Sequence, residues 1–109
     1  MTGKLCLEFF QRSCDAFLGI PYNIASYGLL LELIAKEVGM TPYILSANFV
    51  DFHIYENHIE QCREQLNREP KKLPKLILPE NLSIFDWTYE DFELSNYTSW
   101  PKLKGKVAV

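Results

Sequence analysis

The sequence predicts a fold that combines β-strands with α-helices, and three observations support this. Lys4 to Ser13 alternates with a period of two, as expected of a strand that buries at least one face. Ile24 to Val38 is apolar almost all round a helix, which is typical of a helix buried on several sides. Tyr43 to Tyr55 is rich in β-branched and aromatic residues and is predicted to be a long strand.

The central helix is marked at both ends. Gly19 and Pro21 break the chain before it, and proline is favoured at the first turn of a helix, while Gly39 supplies a C-terminal stop. The helix has one apolar stripe, and the leucines at positions 29, 30 and 33 add apolar side chains outside that stripe. Such a helix needs more covering surface than the rest of this chain is expected to provide, so partner segments are predicted to be missing.

The second half of the chain carries weaker signals. Asn57 to Asn67 has a narrow apolar stripe and is predicted to be a surface helix. Lys75 to Leu78 is predicted to be a short strand, and Asp86 to Leu94 to hold a helical turn and an edge strand. The tail from Ser95 to Lys106 contains three lysines and shows no clear periodicity.

Length and composition indicate one globular domain or part of one, with 109 residues of which 48% are hydrophobic. A net charge of −3 excludes a broad basic surface for nucleic acid, so an anionic ligand must be held by a few placed cations. No signal peptide and no membrane span is predicted. Three cysteines without a CxxC motif argue against a disulfide framework and favour a reducing compartment, with the cytoplasm as the expected location.

Four blocks of sequence occur in the order found in one enzyme family. Residues 11–23, Gln-Arg-Ser-Cys-Asp-Ala-Phe-Leu-Gly-Ile-Pro-Tyr-Asn, resemble the nucleotide-binding signature QRSxDxxLGxPFN of thymidylate synthases, with Tyr in place of Phe. Phe52 to His58 resembles the family's HxYxNH, Arg68 to Leu76 its REPxxLPKL, and Lys106 to Val109 its closing tail. The family's nucleophile is a cysteine in a Pro-Cys-His loop, and this sequence contains no Pro-Cys-His. Residues 1–109 therefore resemble the C-terminal segment of a thymidylate synthase domain, without the nucleophile-bearing N-terminal part.

The resemblance implies an α+β fold with a mixed β-sheet and a buried central helix, in an enzyme that forms a homodimer through the sheet. It implies reductive methylation of dUMP to dTMP with 5,10-methylenetetrahydrofolate as co-substrate and without a metal. The implied partners are dUMP, folate and the missing N-terminal segment, with neither nucleic acid nor membrane. No residue of this chain is expected to be the catalytic nucleophile, and the isolated chain is expected to be inactive.

Several residues of the signature and the tail are candidates for binding. Arg12 precedes a glycine-containing turn, where its guanidinium can either clamp a phosphate or form a rim salt bridge. The resemblance implies that Arg12 and Ser13 hold the phosphate of dUMP. It further implies that Asp15 reaches the folate, that Gly19 lies beneath it, and that the terminal carboxylate of Val109 helps the tail to close over it.

Asn23, His53 and Tyr55 are the remaining candidates. Asn23 can cap the helix, or its carboxamide can pair with both O4 and N3 of uracil, a pattern that cytosine inverts. The resemblance assigns Asn23 to base recognition and therefore implies dUMP. His53 and Tyr55 point to the same side of a strand, and the resemblance implies that they bind the ribose, although a lone strand histidine is more often structural. His53, His58 and Cys62 match no common zinc spacing.

Three further features bear on the reaction. Cys14 lies inside the signature but is expected to be a small buried residue and not the nucleophile. Val50-Asp51 stands where the family has Gly-Asp, and Trp100 replaces a His in a tail that resembles phage enzymes. Bulk at Val50 and Trp100 favours methylation, in which water is excluded, over a dUMP hydroxymethylase, in which water intercepts the same carbon. A non-catalytic subunit from a split or remnant gene is a third possibility.

Overall fold

The computed structural model describes residues 3–108, and its first half is a β-α-β unit. Strand β1 (Lys4–Asp15) is followed by helix α1 (Ile20–Val38) and strand β2 (Thr41–His53). The two strands pair in parallel, from Lys4 opposite Thr41 to Asp15 opposite His53. Parallel strands cannot be joined by a tight turn, so α1 forms the crossover connection between them.

The second half is built from shorter elements. A 3-10 turn (Glu56–His58) leads into α2 (Ile59–Leu66), and β3 (Lys75–Ile77) pairs antiparallel with β4 (Glu93–Ser95) in a separate sheet. Two more 3-10 turns, Ile84–Asp86 and Tyr89–Asp91, lie between β3 and β4. The segment between β3 and β4 is attached to α1, because the carboxylate of Glu37 accepts the backbone N–H of Ile84 at 3.0 Å.

The α+β prediction is confirmed, with shifted element boundaries. β1 continues past Ser13, and β2 ends at His53, so Tyr55 follows the strand instead of lying within it. α2 is shorter than predicted because its first turn is a 3-10 turn. The described residues form a parallel pair and an antiparallel pair in separate sheets, where the resemblance implied one mixed sheet.

Both predicted end signals of α1 are present. Pro21 lies in the first turn, and Gly39 adopts left-handed geometry with φ 69° and ψ 32°. The Gly39 N–H donates to Lys36 O at 3.3 Å, and the Met40 N–H donates to Ala35 O at 2.8 Å. These two bonds form a Schellman motif, which satisfies carbonyls that the helix leaves without partners.

The core lies between α1 and the parallel sheet. Its buried residues include Phe9, Cys14, Ile20, Leu31 and Ala35. Phe9 also stacks on Tyr27 of the helix, with ring centroids 4.0 Å apart. Cys14 is 0% exposed, which confirms that it is a small buried residue.

Other apolar surfaces of the same elements are uncovered within the described residues. On α1, Tyr22 and Val38 are exposed although the helix was predicted to be buried on several sides. On the sheet, Phe10, Val50 and Phe52 are all more than half exposed. Contiguous exposed apolar surface of this kind is typical of a face that another segment or subunit covers, and the predicted missing segments stay a prediction.

Across residues 3–108, no helix combines the length and the apolarity that crossing a bilayer requires.

Two glycine substitutions are expected to change stability in opposite directions. Gly39→Ala forces a side chain into the left-handed region and should cost about 1 kcal/mol. Gly28 lies within α1, where an added Cβ would be an ordinary 4.0 Å from Leu45 Cδ2. Gly28→Ala should therefore stabilise the protein by about 0.5–1 kcal/mol. Urea unfolding of the two variants measures both changes, and equal shifts in one direction would contradict the assigned helix end.

Candidate functional site

The carboxyl ends of β1 and β2 meet at one edge of the parallel sheet. Asp15 lies opposite His53 in the register, and the Ala16 N–H donates to His53 O at 2.9 Å. Ligands of proteins with parallel sheets commonly bind at this edge. Two sequence blocks that are far apart along the chain, the one around Asp15 and the one around His53, are therefore brought together.

A tight turn between β1 and α1 holds Asp15. Its Oδ1 accepts the backbone N–H groups of Phe17 at 3.1 Å and Leu18 at 3.2 Å. The chain then passes close to itself, since a Cβ on Gly19 would lie 3.1 Å from Asp15 O. Gly19 thus permits the turn. The two bonds at Oδ1 fix the orientation of the Asp15 carboxylate, and its Oδ2 makes no hydrogen bond within residues 3–108.

Asn23 lies in the first turn of α1 and is not its cap. The residue before the helix is Gly19, and the Asn23 N–H donates to Gly19 O at 3.0 Å. The alternative that Asn23 caps the helix is therefore wrong. Its side chain is held instead by Gln11, whose Nε2 donates to Asn23 Oδ1 at 3.0 Å.

Gln11 was not predicted as a site residue, although it lies in the signature block. Its Nε2 also donates to Ser13 O at 2.9 Å, so both amide hydrogens are engaged. The Asn23 carboxamide has one oxygen that accepts and one NH2 group that donates. Because Gln11 Nε2 needs an acceptor, its bond fixes which of the two groups of Asn23 faces Gln11. Within the described residues the Nδ2 group of Asn23 donates to no acceptor.

Arg12 and Ser13 lie at the same edge and are exposed. The ion pairs found in residues 3–108 do not include Arg12, so the predicted alternative of a rim salt bridge is not formed there. Its guanidinium, which is always charged, therefore faces solvent beside the turn. The arrangement is compatible with an anionic ligand.

His53 and Tyr55 face each other although Tyr55 lies beyond the strand. Their rings meet edge to face, with centroids 5.1 Å apart. His53 Nδ1 is 3.0 Å from Asp51 O, and a carbonyl oxygen can only accept, so Nδ1 carries the hydrogen. In the neutral imidazole, His53 Nε2 is then an acceptor, which suits a hydroxyl donor.

The C-terminal tail packs against the start of α2. Asn57 Nδ2 at 3.0 Å and His58 Nε2 at 2.7 Å both contact Lys106 O, and Gln61 Nε2 donates to Lys104 O at 3.0 Å. The resemblance implied that the tail closes over the folate, but it did not identify Asn57, His58 and Gln61 as the groups that bind the tail. The predicted role of Val109 lies outside the described residues.

A groove of about 790 Å³ separates this tail from the turn before α1. One wall is formed by Phe17, Leu18 and Tyr22, and the other by residues 102–106 with Asn57 and Gln61. The dimensions fall within the range typical of small-molecule sites. Because Leu18 donates to Asp15 Oδ1, the groove lies beside the turn that positions Asp15.

A neighbouring groove of about 850 Å³ shares Phe17 and Tyr22 and includes Trp100. Trp100 Nε1 donates to Glu69 O at 2.8 Å, and Lys71 Nζ lies 4.6 Å from the ring centroid. Arg68 also donates to Pro101 O at 2.8 Å. The start of the tail is therefore fastened to the segment that follows α2.

A metal centre receives no support from the geometry. Within the part of the chain that the structure describes, His, Cys, Asp and Glu form no cluster of three or more suited to a metal ion. His53 and His58, which the sequence places near Cys62, both contact backbone carbonyls.

Polar side chains at the carboxyl edge of a parallel pair, a tight glycine turn and a groove beside a tail make up a candidate small-ligand site in an α+β protein. Comparison with known proteins specifies the family. A family model described as thymidylate synthase matches residues 1–109. A thymidylate synthase of Mycoplasma pneumoniae (strain ATCC 29342 / M129 / Subtype 1) is 51% identical over 107 residues, which cover 98% of this chain and 37% of that protein. The chain belongs to the thymidylate synthase family, and it spans a little over a third of the length of this curated relative.

Substitution of Asp15 separates its role in the turn from the role of its charge. Asp15→Ala removes the acceptor of two N–H groups and should destabilise the protein by about 1–2 kcal/mol. Asp15→Asn keeps an oxygen that can accept both bonds, so its stability should stay within about 0.5 kcal/mol of the parent. Urea unfolding measures both values, and an equal loss in the two variants would show that the turn does not depend on these bonds.

Proposed function

We propose that this chain forms the dUMP- and folate-binding part of a thymidylate synthase, which methylates dUMP to dTMP with 5,10-methylenetetrahydrofolate. The main support is that, in a chain of this family, Ser13, Asp15 and His53 lie at the carboxyl end of the parallel pair, where Gln11 ties Asn23 to β1 and the Tyr55 ring meets His53. Each part of the nucleotide is matched by a chemically suitable group.

The phosphate is assigned to Arg12 and Ser13. The guanidinium of Arg12 is exposed and outside the ion pairs of the described residues, so no internal carboxylate competes for it. A planar guanidinium can donate two parallel hydrogen bonds to a phosphate, and the Ser13 hydroxyl can add a third donor.

The base is assigned to Asn23. Gln11 holds Asn23 Oδ1 from one side, and a carbonyl oxygen has a second lone pair with which it can accept from N3 of uracil. The Nδ2 group is then directed to O4. This orientation supports uracil over cytosine, because cytosine presents an acceptor at N3 and a donor at C4.

The ribose is assigned to His53 and Tyr55. In the neutral imidazole whose Nδ1 donates to Asp51 O, His53 Nε2 can accept the hydrogen of a ribose hydroxyl. The Tyr55 hydroxyl can donate to the same oxygen, and the edge-to-face contact of the rings keeps the two groups together.

The folate is assigned to the groove between the turn and the tail. Asp15 holds the turn whose residues Phe17 and Leu18 line this groove, Gly19 leaves room for the turn, and Leu18 and Tyr22 offer apolar contact. The terminal carboxylate of Val109 is proposed to join this closure.

The nucleophile is proposed to come from a segment outside this sequence. Uracil C5 is a poor nucleophile until C6 is saturated, so a cysteine thiolate must first add to C6. Cys14 is unsuited to this role, since it is 0% exposed and its Sγ donates to Gln11 O at 3.3 Å.

The exposed sheet face that includes Phe10 and Phe52 supports dimerisation through the sheet, which would bring arginines from the partner subunit. All three cysteines are free thiols, which fits the cytoplasm.

Methylation is proposed in preference to hydroxymethylation. Trp100 borders the groove system and is fastened to Glu69 O, so its bulk can help to exclude water. Val50 supports the argument less than the sequence suggested, because it is 72% exposed and lines neither groove.

The isolated chain is expected to make no dTMP, whereas the chain completed with the N-terminal part of a relative is expected to do so. The reason is the missing thiolate. Dihydrofolate formation from dUMP and methylenetetrahydrofolate can be followed spectrophotometrically, with the nucleotide product identified by chromatography. Turnover by the isolated chain would contradict the proposal, and 5-hydroxymethyl-dUMP with tetrahydrofolate would identify a hydroxymethylase instead.

Asn23→Asp in the completed enzyme is expected to weaken discrimination against dCMP. A carboxylate can only accept, so the paired contact with O4 of uracil is lost at a cost of about 1–3 kcal/mol, roughly ten-fold to a hundred-fold in binding. Relative kcat/KM for dUMP and dCMP measures the change. An unaltered preference would show that base recognition lies elsewhere.

A further inference from the structure

We propose that His58 is a positioning residue that holds the C-terminal tail in place as one wall of the folate groove. His58 is 0% exposed, and it is the buried polar side chain of residues 3–108. Its Nε2 lies 2.7 Å from Lys106 O, in the tail. The inference rests on the proposed function for what the groove binds, but the attachment of the tail stands on geometry alone.

The surroundings of His58 show what its hydrogen bond contributes beside the other bonds to the tail. Its ring packs against Phe17, with centroids 5.2 Å apart, and against Tyr55 at 5.9 Å. Nδ1 is buried and has no hydrogen-bond partner among the described residues. An apolar ring would fill this space without leaving a polar atom unpaired, so the bond from Nε2 is the favourable contact that an imidazole adds here.

The tautomer of His58 follows from its partner. Lys106 O can only accept, so Nε2 carries the hydrogen and donates it. Asn57 Nδ2 donates to the same oxygen at 3.0 Å, and both lone pairs of that carbonyl are used. Gln61 Nε2 repeats the contact at Lys104 O, so the start of α2 binds alternate carbonyls of the tail.

The contacts are made to the backbone of the tail and leave its charged side chains free. Lys102, Lys104 and Lys106 are exposed, whereas Leu103 and Gly105 are partly buried. The tail lines the groove from residue 102 to residue 106. Displacement of Lys106 O would move this wall.

His58 also connects the tail with the predicted nucleotide site. Tyr55 contacts His58 on one side and His53 on the other, and Phe17 lies in the turn that holds Asp15. His58 is not itself placed in contact with either substrate. Its effect is expected on the folate side, where the tail forms the wall.

The test compares His58→Phe and His58→Gln with Arg63→Ala in the completed enzyme. Phenylalanine fills the ring space but cannot donate, whereas glutamine restores an N–H donor in a similar position. Arg63 is a control on α2, the helix that directly follows His58, since its side chain is exposed and pairs with Glu60. Amide hydrogen exchange of residues 102–108 and of α1 is measured for every variant, together with KM for dUMP and for methylenetetrahydrofolate.

His58→Phe is expected to raise exchange in residues 102–108 while α1 is unchanged, and to raise KM for methylenetetrahydrofolate roughly 3- to 10-fold, the worth of one hydrogen bond. KM for dUMP should change little, His58→Gln should recover part of the loss, and Arg63→Ala should match the parent. Unchanged exchange in the tail, or equal increases across α1 and the tail, would overturn the inference. If the parent enzyme makes no dTMP, the proposed function fails, and the exchange data still decide whether His58 holds the tail.

Discussion

The parallel pairing of β1 with β2 is the constraint on which the rest of the molecule depends. Two parallel neighbours require a crossover, so α1 must return across the sheet and bury its inner face there. The same pairing aligns the carboxyl ends of both strands, with Asp15 opposite His53. The candidate site is therefore a direct result of strand direction and register.

Several residues of the candidate site use one polar atom for a bond within the protein and have a second polar atom that is assigned to a ligand in the proposed function. Asp15 Oδ1 holds the turn, Asn23 Oδ1 accepts from Gln11, and His53 Nδ1 donates to Asp51 O. In each case the internal bond determines where the second atom points. Such preorganisation lowers the entropic cost of binding, because the side chains do not have to be ordered by the ligand.

The uncovered apolar surface and the missing nucleophile have a common explanation in the proposed function. The exposed faces of α1 and of the sheet require additional covering segments, and the reaction requires a thiolate that Cys14 cannot supply. A complementing segment would meet both requirements. The 37% coverage of the relative's length is consistent with this proposal.

The sequence alone determined the order of strand, helix and strand, the end of α1 at Gly39, the burial of Cys14 and the family. These features depend on local periodicity, on backbone geometry and on contiguous motifs, all of which can be read along the chain. The residues at positions 12, 13, 15, 23, 53 and 55 could be selected only through the signature blocks, because nothing in the spacing of Asn23 or His53 distinguishes a ligand from a structural residue.

The tertiary structure decided the contacts between distant segments. It placed Gln11 against Asn23, removed the cap alternative, and brought His58 onto Lys106 O. It also showed that Val50 does not border the grooves, whereas Trp100 does. These facts depend on strand register and on the path of an aperiodic tail, which hydrogen bonds between residues far apart in the chain determine and which no local pattern encodes.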